Sequence, residues 1–199
     1  AADLAGPVDL DVAGFVEADL GFQFYDNGEW DWTFVTREIE LDPGFAIAYV
    51  ELANTYGFQG FYSNRPPKQA WQLAEPLLDR ALTIDERLGQ AYIAKARFLG
   101  TNEDRADVIE KAEFVESLYR KGLELAPGYA SGYRWYSNLL STLNRNEEAL
   151  VQLEKAVRQD PLSGIIRADL ARALEQQGRF ADARDHLEAS VRINPDFAH

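Results

Sequence analysis

An all-α fold of stacked helix hairpins is predicted for this 199-residue chain by three observations. Residues 130–195 hold one pattern twice, 34 residues apart: Tyr133, Ala149, Leu153, Ala156 and Pro161 align with Arg167, Ala183, Leu187, Ser190 and Pro195. The pattern returns upstream around Pro127, Ala81 and Pro43. The pairs Asp42-Pro43, Asp160-Pro161 and Asn194-Pro195 stand where a second helix should stop. Proline lacks an N–H and pushes its predecessor out of the α region, so it closes each hairpin. A fixed period of this length marks a helical-repeat array.

Residue types fit the spacing. Tyr49, Leu52, Ala53 and Tyr56 alternate bulky and small slots on a first helix. Ala74, Leu78 and Ala81, and again Ala149, Leu153 and Ala156, do so on second helices. Small side chains let two helices approach closely, and large ones fill the space that remains. With these residues at this period the chain resembles the tetratricopeptide repeat family. The resemblance implies a right-handed superhelix of stacked hairpins, about ten helices in five pairs.

Along the chain, residues 1–12 have no helical period and read as an extended lead-in. The array occupies 13–199. Its first unit, 13–45, is a degenerate cap: a helix from about Ala13 to Tyr25, a turn at Asp26-Asn27-Gly28, and a helix from about Trp30 to Leu41. Terminal repeats are often atypical because one face has no neighbour. Trp30, Trp32 and Phe34 form either a cap core or a ligand platform. The second repeat, 46–88, carries an insertion in which Gly57, Gly60 and Pro66-Pro67 are expected to break the helix. The third, 89–129, carries an insertion around TNEDRAD, with Val115, Tyr119 and Gly122 in the second-helix slots. Repeats of standard length follow at 130–163 and 164–199. Residues 41–96, with the Pro-Pro insertion, resemble repeat regions of bacterial signalling proteins. In those proteins repeats accompany a membrane-anchored winged-helix regulator, an adenylate cyclase or a TolB-like segment.

Composition sets bounds. At 46% hydrophobic and 27% charged, the chain is globular. No apolar run reaches the roughly 18 residues of a membrane span. The start Ala-Ala-Asp and the absence of methionine suggest a processed protein or an excised fragment. The lack of cysteine excludes disulfides and thiol catalysis and leaves the compartment open, the periplasm being favoured over the cytoplasm. The net charge of −13 is concentrated in residues 1–44, which carry eleven acidic side chains against Arg37. Nucleic-acid binding is not expected, since phosphate contacts need clustered Lys and Arg.

No catalytic signature is present: GxGxxG, GxxxxGK, GxSxG and HExxH are all missing. His186 and His199 have no second ligand at helical spacing, so neither metal nor cofactor is expected. The chain reads as a non-enzyme that binds a protein or peptide partner. The family resemblance implies a concave groove lined by first helices, reached here from Asn54, Arg97, Arg134, Asn138 and Arg172. Arginine suits bidentate carboxylate recognition and asparagine can hold an extended backbone, which points to an acidic or carboxylate-ended segment. Alternatively these arginines are solvated or form ion pairs within the array. Val50, Ala94 and Ser131 stand where the family's dicarboxylate clamp needs Lys or Asn, so that clamp is not expected. Phe58, Phe61 and Tyr62 make either a partner-binding lip or the packing of the inserted loop. Two other readings remain: a homodimer formed through the acidic amino-terminal stretch, and a regulatory accessory domain of a fused cyclase or transcriptional regulator.

Overall fold

The computed structural model describes residues 23–24, 30–31, 33–62, 67–101 and 105–193, with side chains at 35–57, 68–101 and 106–193. Ten helices lie among these residues: α1 (Thr33–Leu41), α2 (Ala46–Tyr62), α3 (Pro67–Ile84), α4 (Gly89–Thr101), α5 (Arg105–Glu110), α6 (Ala112–Leu125), α7 (Ala130–Thr142), α8 (Asn146–Gln159), α9 (Gly164–Gln176) and α10 (Phe180–Ile193). The chain divides into two compact units, residues 1–98 and 99–199.

In the first unit α2 and α3 form one hairpin. Its centre is made of Ala53, Ala74 and Ala81, all without solvent exposure, around Leu78 and Tyr49. Ala91, Ala94 and Phe98 of α4 complete that core. Val35 of α1 packs with Ala48 and Leu52 on the other side of α2. In the second unit α7 pairs with α8, and α9 pairs with α10. Leu150 and Leu153 of α8 meet Leu170, Ala171 and Leu174 of α9. Val115, Tyr119 and Gly122 are buried on α6, as their slot sizes require. The Tyr119 ring stacks on Tyr136 at 5.1 Å.

The turns between repeats share one device. Tyr49 donates its hydroxyl to the Pro43 carbonyl, Tyr92 to Glu86 and Tyr133 to Pro127, each six residues back. At the fourth turn Arg167 donates from Nε to the Pro161 carbonyl at 2.9 Å. Three turns also carry an aspartate whose carboxylate accepts a backbone N–H two residues on: Asp42 from Gly44, Asp85 from Arg87 and Asp160 from Leu162. These Asx turns satisfy polar groups that the helix ends leave open.

Three expectations are corrected. The cap is not a helix hairpin throughout, because residues 23–24 and 30–31 form a short antiparallel ladder, β1 and β2, with Gln23 opposite Asp31 and Phe24 opposite Trp30. Phe and Trp favour strands, and the intervening Asn27-Gly28 is a strong hairpin signal. The second helix of the cap, α1, accordingly begins at Thr33 rather than Trp30. The expected lead-in at 1–12 and most of the helix from 13 lie outside the described residues. Gly57 and Gly60 do not break α2, which runs on to Tyr62, and Pro67 is the first residue of α3, where its missing N–H is not needed. The insertion around TNEDRAD contributes a helix of its own, α5, so the helices do not simply pair into five hairpins.

Gly57 survives inside a helix because α4 comes too close for any side chain. A Cβ there would lie 2.9 Å from Phe98 Cζ and 2.6 Å from Arg97 Nη2. Gly100, in the corresponding slot of α4, leaves ordinary room: a Cβ would meet Leu139 and Val115 at 3.6 and 3.7 Å. We therefore predict opposite outcomes in urea denaturation. Gly57→Ala should lose about 1–3 kcal/mol through overpacking despite its better helix propensity. Gly100→Ala should be neutral or gain up to about 1 kcal/mol.

Candidate peptide-binding face

The first helices supply the candidate face, and the two units treat it differently. In the first unit Asn54 on α2 and Arg97 on α4 meet directly. The Arg97 Nη2 donates to Asn54 Oδ1 at 3.0 Å, and the two residues are only 4% and 2% exposed. The Arg97 guanidinium also lies 5.0 Å from the centroid of the Phe98 ring. Val50 and Ile93 in neighbouring slots are buried as well. Asn54 and Arg97 are therefore joined as packed groups and do not line an open surface.

In the second unit the corresponding slots are open. Arg134 on α7 donates from Nε to Asp169 Oδ2 at 2.6 Å, and Arg172 on α9 donates to the other oxygen, Oδ1, at 2.9 Å. Asp169 is largely buried while Arg172 remains 67% exposed. Asn138 is exposed one turn beyond Arg134 on α7, and its carbonyl accepts from Thr142. Ser141 is exposed too, and Ser131, Ile165 and Ala168 are half-buried. One carboxylate thus holds two guanidinium groups, of which Arg172 is the exposed one. The sequence reading missed Asp169. Its signal was present: it follows by one residue the position 34 after Arg134 and precedes Arg172 by three.

Phe58, Phe61 and Tyr62 fall on the last turns of α2, and their side chains lie outside the described residues.

A second polar cluster was also missed. Glu116, buried on α6, accepts from Arg120 Nη2 at 2.8 Å, from the Tyr136 hydroxyl at 2.8 Å and from Arg145 Nη1. Arg145 forks onto Glu148 as well, with two bonds of 2.6 Å. Burial pushes the Tyr136 phenol above its ordinary value, and its bond to Glu116 adds to that rise. The bonds from Arg145 hold the Glu148 carboxyl below the usual carboxylate range. The cluster ties α6, α7 and the start of α8 together, with its charges partnered inside it. Sequence spacing gave no hint, since Glu116 and Arg145 are 29 residues apart. Among the described residues no group of three His, Asp or Glu side chains is placed to hold a metal ion.

Residues 137–196 match the family model of the tetratricopeptide repeat. Solved structures extend the likeness. A thermophilic tetratricopeptide protein of Thermus thermophilus superposes with a TM-score of 0.63 at 17% identity, over 82% of this chain and 81% of that one. YrrB, described as having an unusual peptide-binding site, gives 0.51 at 19% identity, over 82% and 76%. PilF of Pseudomonas aeruginosa gives 0.59 at 26% identity, over 77% of this chain and 63% of that one. No curated protein sequence matches the chain. The fold is thus all-α and of the tetratricopeptide type. No helix among the described residues is long and apolar enough to cross a membrane.

Removing Glu116 should strand its partners. Glu116→Ala is expected to cost about 2–3 kcal/mol in urea denaturation, whereas Arg120→Ala, at an exposed partner, should cost under about 1 kcal/mol. Glu148 adds a pH signature. Its folded pKa is lowered, so its stabilisation is present above the ordinary glutamate value of about 4.3 and is lost as pH falls through the folded value. The midpoint gap between wild type and Glu148→Gln should hold steady above about pH 5 and shrink below about pH 4.

Proposed function

We propose that the chain is a non-catalytic recognition module that takes an extended acidic or carboxylate-ended segment of a partner protein against α7 and α9. The observation that carries this reading is the trio Arg134, Asp169 and Arg172, in which one carboxylate serves two guanidinium groups and Arg172 keeps most of its surface. A ligand carboxylate would meet the exposed side of the Arg172 guanidinium, whose Nη1 is held by Asp169. Asn138 would add an amide able to donate to and accept from a peptide backbone. Asn54 and Arg97, joined and buried, hold α2 against α4 within the first unit. The setting in a bacterial signalling or assembly system rests on the likeness of residues 41–96 to repeat regions of membrane-anchored regulators and cyclases.

The test is fluorescence anisotropy with a labelled peptide rich in Asp and Glu, alongside the same peptide with Lys in their place. Wild type should bind the acidic peptide alone, Arg172→Ala should weaken it roughly tenfold, and Asn138→Ala less. Equal affinity of wild type and Arg172→Ala for the acidic peptide would refute the proposal.

A further inference from the structure

The 34-residue period allows α10, the last helix among the described residues, to be compared with α8 position by position. Both helices use their small slots within the hairpin: Ala149 and Ala156 are buried on α8, and Ala183 and Ser190 are buried on α10. Ser190 even donates its hydroxyl to the Gly164 carbonyl at 2.8 Å. The large slots differ. Leu153 is 4% exposed, because Leu170, Ala171 and Leu174 of α9 lie over it, and Val157 is packed there too. Their counterparts one period later, Leu187 and Val191, are 40% and 38% exposed. Phe180, two turns before Leu187 on the same face, extends this surface toward the start of α10. The position of Leu150 is taken by Arg184, whose nearest carboxylate, Glu188 at 3.9 Å, is also the one that Arg192 approaches at 4.0 Å.

We propose that this outer face of α10 docks an amphipathic helix from a partner protein, seated as α9 is seated on α8. Its apolar face would carry the Leu-Ala-x-x-Leu spacing of Leu170, Ala171 and Leu174, with an acidic side chain near Arg184. Continuity with the α8–α9 interface is the argument. The same residue types at the same period, covered in one repeat, stand open in the next. Arg184 stands where α8 has Leu150 and is 71% exposed, which favours an acidic side chain at that point of the partner. This face is separate from the α7–α9 surface proposed above, so either can fail without the other.

The probe is a labelled synthetic peptide reproducing residues 163–177, read by anisotropy against the whole chain. Wild type should bind it saturably. The double variant Leu187→Asp/Val191→Asp should weaken it at least tenfold with unchanged helical circular dichroism. Val151→Asp, at an exposed apolar position of α8, should bind as wild type does. A peptide with Glu in place of Ala168 and Arg172 should bind more tightly to wild type than to Arg184→Ala. Absence of binding, or equal binding by the double variant, would overturn the proposal. So would light scattering that shows a dimer lost in the double variant, since the face would then be taken by a second copy of the chain.

Discussion

Everything in this fold depends on how closely two helices can approach where alanine stands between them. Ala53, Ala74, Ala81, Ala91 and Ala94 have no exposed surface, and they cluster around the same few large side chains. A side chain larger than a methyl at any of these slots would hold the helix axes apart and open voids beside Leu78 and Tyr49. The close approach is also what makes the large residues effective. Leu78 and Phe98 fill a gap whose width the alanines set, so every methylene is in contact on all sides. Gly57 carries the same logic one step further, because there even a methyl is too much.

The repeat is also written in hydrogen bonds. Tyr49, Tyr92 and Tyr133 each reach back six residues to a turn carbonyl, and Arg167 keeps the bond with a different side chain. What recurs is thus a donor on a long, stiff or extended arm at the start of each first helix, and not tyrosine as such. This accounts for the alignment of Tyr133 with Arg167, which looks like a mismatch by hydrophobicity. The bond fixes the angle at which each new helix leaves its turn, while the Asx turns at Asp42, Asp85 and Asp160 hold the chain just before it.

Most of the helices were legible in the sequence because their signals are local and periodic. Alanine spacing, the closing prolines and the slot sizes each repeat, so an error in one copy is checked by the others. Features that occur once were read poorly. The ladder at 23–24 and 30–31 depends on a short hairpin sequence that an amphipathic pattern overrode. The need for glycine at 57 comes from Phe98 and Arg97, a whole repeat further along the chain, which no local propensity contains. The candidate face was half legible. Arg134, Asn138 and Arg172 fell on first helices as their slots imply, but Asp169 went unread despite its spacing, and the bond of Glu116 to Arg145 left no local trace. A buried carboxylate between arginines is a tertiary fact, and an acidic residue on a helix is more often solvated.

In the proposed function, Asp169 also decides what the α7–α9 face would recognise. An arginine pair with no internal carboxylate would repel itself and would bind any anion. With Asp169 between them, Arg134 is fixed and Arg172 is oriented, so less side-chain freedom is lost when a ligand arrives. In the proposed function the cost is a reduced local charge, which still leaves Arg172 open to an acidic segment. The acidity of the chain does not oppose this. Residues 1–44 hold −10 of the net −13, and the remaining 155 residues are close to balanced. In the proposed function it is the local surroundings of Arg172, and not the overall pI, that set the sign of the partner's charge.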